Sequence, residues 1–295
     1  MAASNYYVPE SSRLPIGTSI GLIGLAAGAG GMLNHSSSGG EGWALPHFVF
    51  FAGALILASV LYNWFSKVIG ESRGGLYNAQ MDRSYRWGMG WFIFSEVMFF
   101  AAFFGALFYV RQIAGPWLSG EGDKGISHML WPEFVFQWPM FNNPAGADLP
   151  GPEAVIDPWH IPLLNTVLLI SSSVTVTFAH HALRAMDRTR VIFWLALTVI
   201  LGAVFVYFQI VEYVEAYEEL GLTLDSGIYG STFFMLTGFH GAHVTIGAFI
   251  LFVIWLRIIK GHFTPEQHFG FEAAAWYWHF VDMVWIGLFF FVYIL

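Results

Sequence analysis

Long apolar runs separated by short polar clusters set the pattern of this chain. Seven runs reach the roughly 20 residues that a helix needs to cross a bilayer, at about 15–33, 45–66, 86–112, 160–182, 191–213, 228–256 and 270–295. The last of them, EAAAWYWHFVDMVWIGLFFFVYIL from Glu272 to Leu295, carries three ionisable residues. At about 100° per residue, Glu272 and His279 fall within roughly 20° of each other, with Asp282 about 60° from His279. A charged group at mid-bilayer costs about 2.5–3.5 kcal/mol even on a lenient insertion scale, so this side is expected to face protein.

Composition agrees with the pattern. With 56% hydrophobic and 11% charged residues, the chain is expected to be all-α and polytopic in a membrane. The absence of cysteine removes disulfides, thiolate metal sites and cysteine nucleophiles. Residues 1–13 are polar and carry no evident cleavable signal, so the first apolar run reads as the first span. Its Gly17, Gly21, Gly24 and Gly28 share one face, which lets another helix approach closely.

Basic residues order the spans. Arg13, Lys67, Arg73, Arg83, Arg86, Arg184, Arg188, Arg190, Arg257 and Lys260, ten of the twelve, fall on one side of a seven-span arrangement. Arg111 and Lys124 fall on the other. The positive-inside rule then sets the N-terminus inside and the C-terminus outside. Residues 114–158 hold seven prolines and Trp117, Trp131 and Trp138, which predicts an extended outer loop along the membrane interface. The outer connection bearing Glu215, Glu218, Glu219 and Asp225 reads as a solvated acidic loop, with a docking rim for a basic soluble partner as the functional alternative.

Intramembrane polar groups are the candidates for chemistry. Glu96 lies roughly 12 Å from Gly88 along its span, near the hydrocarbon middle. Its neutralising partner is expected from another helix or from a proton, with structural hydrogen bonding as the ordinary role and proton exchange as the alternative. His240 and His243 share a helical face and are expected to bond to groups such as Glu212 or Glu272. His180 and His181 stand at an inner helix end, where positive charge suits the helix C-terminus. A di-metal bundle would use Glu-x-x-His pairs; neither that pattern nor HExxH occurs, so no metal ligands are expected. A retinal protein would need a lysine in the last span, and a secondary transporter an internal repeat; neither is found.

The residues resemble subunit III of the haem-copper cytochrome c oxidases. HFGFEAAAWYWHFVDMVW at 268–285 looks like the hallmark of that family. YGSTFFMLTGFHGAHVTIG at 229–247, LLNTVLLISSSVTVTFAHHAL at 163–183, RWGMGWFIFSEVMFF at 86–100 and VIGES at 68–72 follow it in the same order. The resemblance covers about Trp64 to the C-terminus.

It implies a seven-helix, non-catalytic subunit of a proton-pumping oxidase that passes electrons from cytochrome c to oxygen. The first two helices (15–66) would form one bundle and spans three to seven (86–295) another, separated by a lipid-filled cleft, with 1–14 and 67–85 as inner segments. Haems and copper would belong to partner subunits, and this chain would bind none directly. Subunit I would be the direct partner, with subunit II in the same complex and no nucleic acid. Structural phospholipids would contact Trp64, Glu71, Arg73, Arg257, Lys260 and His262; Gly70 replaces an arginine found in some members, and Arg73 could stand in for it. Glu96, Glu212, His240, His243, Glu272, His279 and Asp282 would form the buried polar network. His262, His268 and Glu266 could concentrate protons at the inner surface. The expected location is the bacterial cell (inner) membrane. A related quinol oxidase subunit, or a free-standing channel or transporter, are the other readings.

Overall fold

The computed structural model describes residues 7–8, 11–123 and 125–295, with Ala147 as backbone alone. Lys124, one of the two basic residues expected outside, lies beyond them, as do residues 1–6, 9 and 10 of the N-terminal segment. Among the described residues, seven helices are long and apolar enough to cross a membrane: α1 Leu14–Ser37, α2 Leu45–Arg73, α3 Ala79–Leu118, α4 Ile161–Arg184, α5 Arg188–Glu218, α6 Ile228–Ile259 and α7 Phe269–Ile294. Each expected span is present. Several helices outrun it because helix continues through the polar ends, where α2 extends to Arg73 and α3 begins at Ala79.

Local chemistry sets the ends. Pro15, Pro46 and Pro162 stand in the first turns of α1, α2 and α4, where a missing N–H costs nothing. Asp187 accepts from the Arg190 N–H at 3.1 Å and starts α5. Gly227, at φ 93°, precedes α6, a backbone shape that side chains disfavour. The last turns of α3 widen into a π segment, Val110–Ala114. From there Arg111 donates to the carbonyls of Phe291 (3.4 Å) and Leu295 (2.8 Å) at the end of α7, a helix C-terminus that favours a cation.

The chain divides into two units, Met1–Tyr85 and Arg86–Leu295. In the first, α1 and α2 meet through the anticipated glycine face. A Cβ built on Gly17 would lie 2.8 Å from Val60, on Gly21 3.0 Å from Leu57, on Gly24 2.9 Å from Gly53 and on Gly28 2.5 Å from Phe50. At Gly21, Gly24 and Gly28 these neighbours are backbone atoms, and at Gly17 the neighbour is the Val60 side chain.

The second unit joins α4 to α5, α5 to α6, α6 to α7 and α7 back to α4, with α3 laid against it. Its centre is Trp278 of α7, which is fully buried. The indole N–H donates to Ser172 Oγ of α4 at 2.9 Å. Its ring fills the spaces left by Gly202 of α5 and Gly247 of α6, whose added Cβ atoms would come within 2.7 and 2.9 Å of it. One side chain therefore touches all four helices. Trp285 repeats the device nearer the other end: its N–H donates to Thr166 Oγ1 of α4 at 2.9 Å, and its ring stands edge-on to Phe205 of α5 at 4.8 Å.

The 114–158 loop is folded, not extended. Short 3-10 turns cover Gly125–Met129 and Gly146–Asp148, and Phe134, Met140 and Ile156 are buried in the core of the unit. Asn143 donates to the Leu149 carbonyl at 3.0 Å, and Glu153 N–H to the Leu220 carbonyl at 3.0 Å. Proline content predicts where regular helix stops. It does not say whether apolar residues between the prolines find a core.

Gly202→Val and Gly247→Val should each lower the thermal unfolding midpoint, since overpacking a close contact costs about 1–3 kcal/mol. Gly105→Ala, with nothing within 4 Å of the new Cβ, should leave it unchanged or raise it. Equal effects at all three positions would refute the wedge.

Candidate functional site

Four groups of ionisable side chains occupy the second unit, ordered by depth along the helices. The first lies at the basic end, where α3 and α7 begin and α4 ends. Glu272, one turn into α7 and buried, forms an ion pair with Arg86 of α3 through Oε2. Its Oε1 lies 3.2 Å from His268 Nε2, 3.6 Å from His180 Nε2 and 3.7 Å from Arg184 Nη2. Two guanidinium groups therefore face one carboxylate.

His180, His268 and Glu272 offer ligand atoms within 4.8 Å of one another, and they form the only such grouping of three among the described residues. The donor set suits a metal less well than the spacing does. An entering divalent cation would share its single carboxylate with Arg86 and meet a second guanidinium across Oε1, so the cluster reads as an ion-pair network.

The second group lies deeper on the same α4–α7 surface. Ser173 Oγ and His279 Nδ1 are 2.6 Å apart, and Asp282 Oδ2 lies 3.8 Å from the same nitrogen. A cleft of about 170 Å³, lined by Thr177, His180, Glu272, Trp276 and His279 among others, connects the two groups. It is smaller than the sites that enclose small-molecule substrates.

Glu96 and His243 form the third. Glu96 Oε2 of α3 lies 2.9 Å from His243 Nε2 of α6, and His243 Nδ1 lies 2.6 Å from the Phe239 carbonyl. A carbonyl only accepts, so Nδ1 carries its hydrogen. The remaining contact then holds one proton between Nε2 and the carboxyl. The rings of Phe99, Phe100 and Tyr277 surround the pair.

The fourth, near the opposite end, is Glu212, which accepts from Tyr293 OH at 2.6 Å and Gln209 Nε2 at 3.2 Å. Tyr213 and Thr237 hydroxyls pair beside it at 2.7 Å.

These placements revise two expectations. His240 and His243 do not bond to Glu212 or Glu272: His240 Nε2 donates to the Val281 carbonyl at 3.2 Å, and His243 takes Glu96. Depth is the reason. His240 meets Val281 of α7 and the Phe205 ring of α5, and from those levels Glu272 lies about 14 Å and Glu212 about 10 Å away along the axis. His268 was expected at the open inner surface; it is buried against Glu272, whereas Glu266 is exposed and His262 half-buried in the adjoining turn.

The remaining sequence-selected residues lie nearer the surface. Arg257 places its guanidinium 4.3 Å from the Phe263 ring centre, and Lys260 is exposed beside it. In the first unit Glu71 accepts from Tyr77 OH at 2.8 Å and Tyr7 OH at 3.1 Å. Burial, then Tyr85 and Glu71, hold the Tyr77 hydroxyl well above the usual phenol range, so it stays a donor. Trp64 is half exposed and stacks on Phe65, and Arg73 is exposed in the last turn of α2. In the acidic connection, exposed Asp225 is held below the usual carboxylate range by the Thr223 hydroxyl at 2.6 Å.

A family model described as cytochrome c oxidase subunit III matches residues 4–119 and 138–295. The chain belongs to the cytochrome c oxidase subunit III family. The internal stretch left unmatched, 120–137, lies in the folded 114–158 loop. "Cytochrome c oxidase subunit 3" of Arabidopsis thaliana is 39% identical over 290 residues, covering 98% of this chain and 96% of its own. The protein of the same name in Formosania lacustris is 39% identical over 292 residues, 99% and 97%. That of Oncorhynchus mykiss is 42% identical over 242 residues, 82% and 81%. Membership makes the chain a multi-pass subunit of a respiratory oxidase complex.

Partners that sequence reasoning missed are Arg86, Arg184, Ser173 and Tyr293. Equal depth from the helix ends could have found the first two.

Glu96→Ala and His243→Ala should each destabilise the assembled protein, because each strands the other's polar group in an aromatic cage. The double variant should lose less than the sum, with a coupling of about 0.5–3 kcal/mol in thermal unfolding. Strict additivity would show that the two do not share a proton.

Proposed function

We propose that this chain is a non-catalytic subunit of a proton-pumping cytochrome c oxidase, in which it packs against subunit I, binds structural phospholipids and supports proton uptake. The observation that carries the reading is the family match running through all seven helices. The geometry is consistent with it. Deep carboxyls are matched by neighbouring side chains inside one bundle, and the cleft at the α4–α7 seam is smaller than typical substrate sites. These are properties of a scaffold. On this reading, oxygen reduction belongs to the haems and copper of partner subunits, subunit II shares the complex, and cytochrome c supplies the electrons.

Lipid binding rests on Arg257, Lys260 and His262 at the basic end of α6 and on Trp64, Glu71 and Arg73 along α2. Cationic and aromatic side chains at headgroup level hold phosphate and acyl chains respectively. Proton uptake would draw on Glu266 and His262 in the exposed turn before α7. We place the protein in the cell (inner) membrane of a bacterium; the distribution of basic residues supports an N-terminus inside.

The test is isolation of the tagged chain from its native membrane. Haem absorbance should co-elute in fixed ratio, and a chain that elutes alone would refute the assignment. In the same preparation, Arg257→Ala with Lys260→Ala should reduce bound phospholipid and speed the loss of activity during turnover, with the initial rate nearly intact. Unchanged phospholipid in native mass spectrometry would remove these residues as phosphate ligands. Protease protection in sealed vesicles should leave the C-terminus open only from outside.

A further inference from the structure

Beyond Trp285, the interior of the second unit holds two amides and a carboxyl on α4 and α5, helices that pack on each other. Asn165 stands about 6 Å from the Ile161 end of α4, and Glu212 about 9 Å from the Glu218 end of α5. Asn165 shares a buried stripe with Leu169, Ser172 and Val176, the face that meets Trp278 through Ser172. Trp285 joins the two levels. Its N–H bonds to Thr166, the neighbour of Asn165, and its ring centre lies 5.8 Å from that of Tyr293, whose hydroxyl donates to Glu212. Asn165 and Glu212 are 0% exposed and Gln209 is 5% exposed.

Hydrogen bonds within the chain use only part of these groups. Glu212 Oε1 takes both Tyr293 OH at 2.6 Å and Gln209 Nε2 at 3.2 Å. Glu212 Oε2, Gln209 Oε1 and both Oδ1 and Nδ2 of Asn165 have no partner among the described residues. Polar atoms buried this completely are costly unless bonded. Three of these side-chain atoms are acceptors and the fourth, Asn165 Nδ2, is a donor. A metal cation would serve the oxygens and leave Nδ2 without an acceptor, whereas water both donates and accepts and so suits the whole set. Packing beside Gln209 leaves room for it. A Cβ built on Gly241 meets nothing nearer than Gln209 Cγ at 4.0 Å, and on Gly238 nothing nearer than Tyr213 OH at 3.6 Å, against 2.7 and 2.9 Å for the glycines around Trp278.

We propose that Asn165, Gln209 and Glu212 form a structural hydration site, in which ordered water bridges α4 to α5 and hydrates the second oxygen of the Glu212 carboxyl. The site lies wholly inside this chain, behind the buried rings of Trp285 and Tyr293, and draws on no partner subunit. It gives α4 a polar tie to α5 at a level that the Trp278 wedge does not reach.

Electron cryo-microscopy of the tagged chain in its native assembly, at a resolution that shows ordered water, should place solvent density within hydrogen-bond reach of the Asn165 amide, Gln209 Oε1 and Glu212 Oε2. The density should be equal in sodium and rubidium buffers. Stronger density in rubidium would make the ligand a cation and overturn the proposal. So would a map in which Asn165 bonds directly to Glu212 or Gln209 with no solvent between them. This readout uses the wild-type protein, so it decides the matter whether or not a variant assembles. Asn165→Leu, of similar volume and without polar atoms, should abolish the density and lower the thermal unfolding midpoint, because Gln209 Oε1 and Glu212 Oε2 then lose their partner. Asn165→Ser, which keeps a hydroxyl and leaves more room, should retain the density. Density unchanged in Asn165→Leu would remove Asn165 from the site and overturn the bridge between α4 and α5.

Discussion

The second unit depends on one wedge, the indole of Trp278 held between two glycines and a serine. Lipid is as apolar as the side chains, so burial alone gives helices no reason to associate; shape and hydrogen bonding must. Gly202 and Gly247 create a space that an indole fills, and Ser172 gives the indole N–H the one partner it needs. The first unit solves the same problem without an indole, by letting the backbones of α1 and α2 touch along Gly21, Gly24 and Gly28. Both solutions use glycine for the room it leaves.

The polar groups then follow from the wedge. Once α4 and α7 are fixed by Trp278 and Trp285, Ser173 meets His279 and His180 meets Glu272 on the opposite side of the same two helices. α3, which lacks a tryptophan wedge of its own, is tied on by Arg86–Glu272 at one level and Glu96–His243 at another. Aromatic edges between them, such as Phe99 on Phe239 at 5.0 Å, add modest energy.

The spans were legible because bilayer thickness reduces the question to counting apolar residues, whereas their ends were not, since helix runs on through polar residues to Arg73 in α2 and from Ala79 in α3. The glycine face of α1 was legible because helical periodicity assigns a face without reference to any partner. Pairings were not, since periodicity gives the angle of a residue on its own helix and says nothing of which helix lies at that angle. His243 illustrates this: its face was read correctly as inward, and its partner was not. Matching depth would have paired it with Glu96 and excluded Glu272. The folded outer loop was illegible for another reason, because Phe134, Met140 and Ile156 are scattered among prolines with no period to read.

Depth also sorts the chemistry of the partners. Arginine meets carboxylate at the basic end, in Arg86 and Arg184 with Glu272, and Arg111, far along α3, binds carbonyls at the other end. Between these levels the neighbours of the carboxyls are neutral or can become so: Glu96 bonds to histidine, Glu212 to tyrosine and glutamine, and Asp282 lies 3.8 Å from histidine. A guanidinium keeps its charge at any accessible pH, so it must stay where headgroups and water can share it. A histidine–carboxyl pair can be written with no net charge on either residue by moving one proton. The bundle thus keeps acids in its interior without obliging any of them to hold a permanent charge there, which is why mid-depth carboxyls and an intact membrane scaffold are compatible in the same helices.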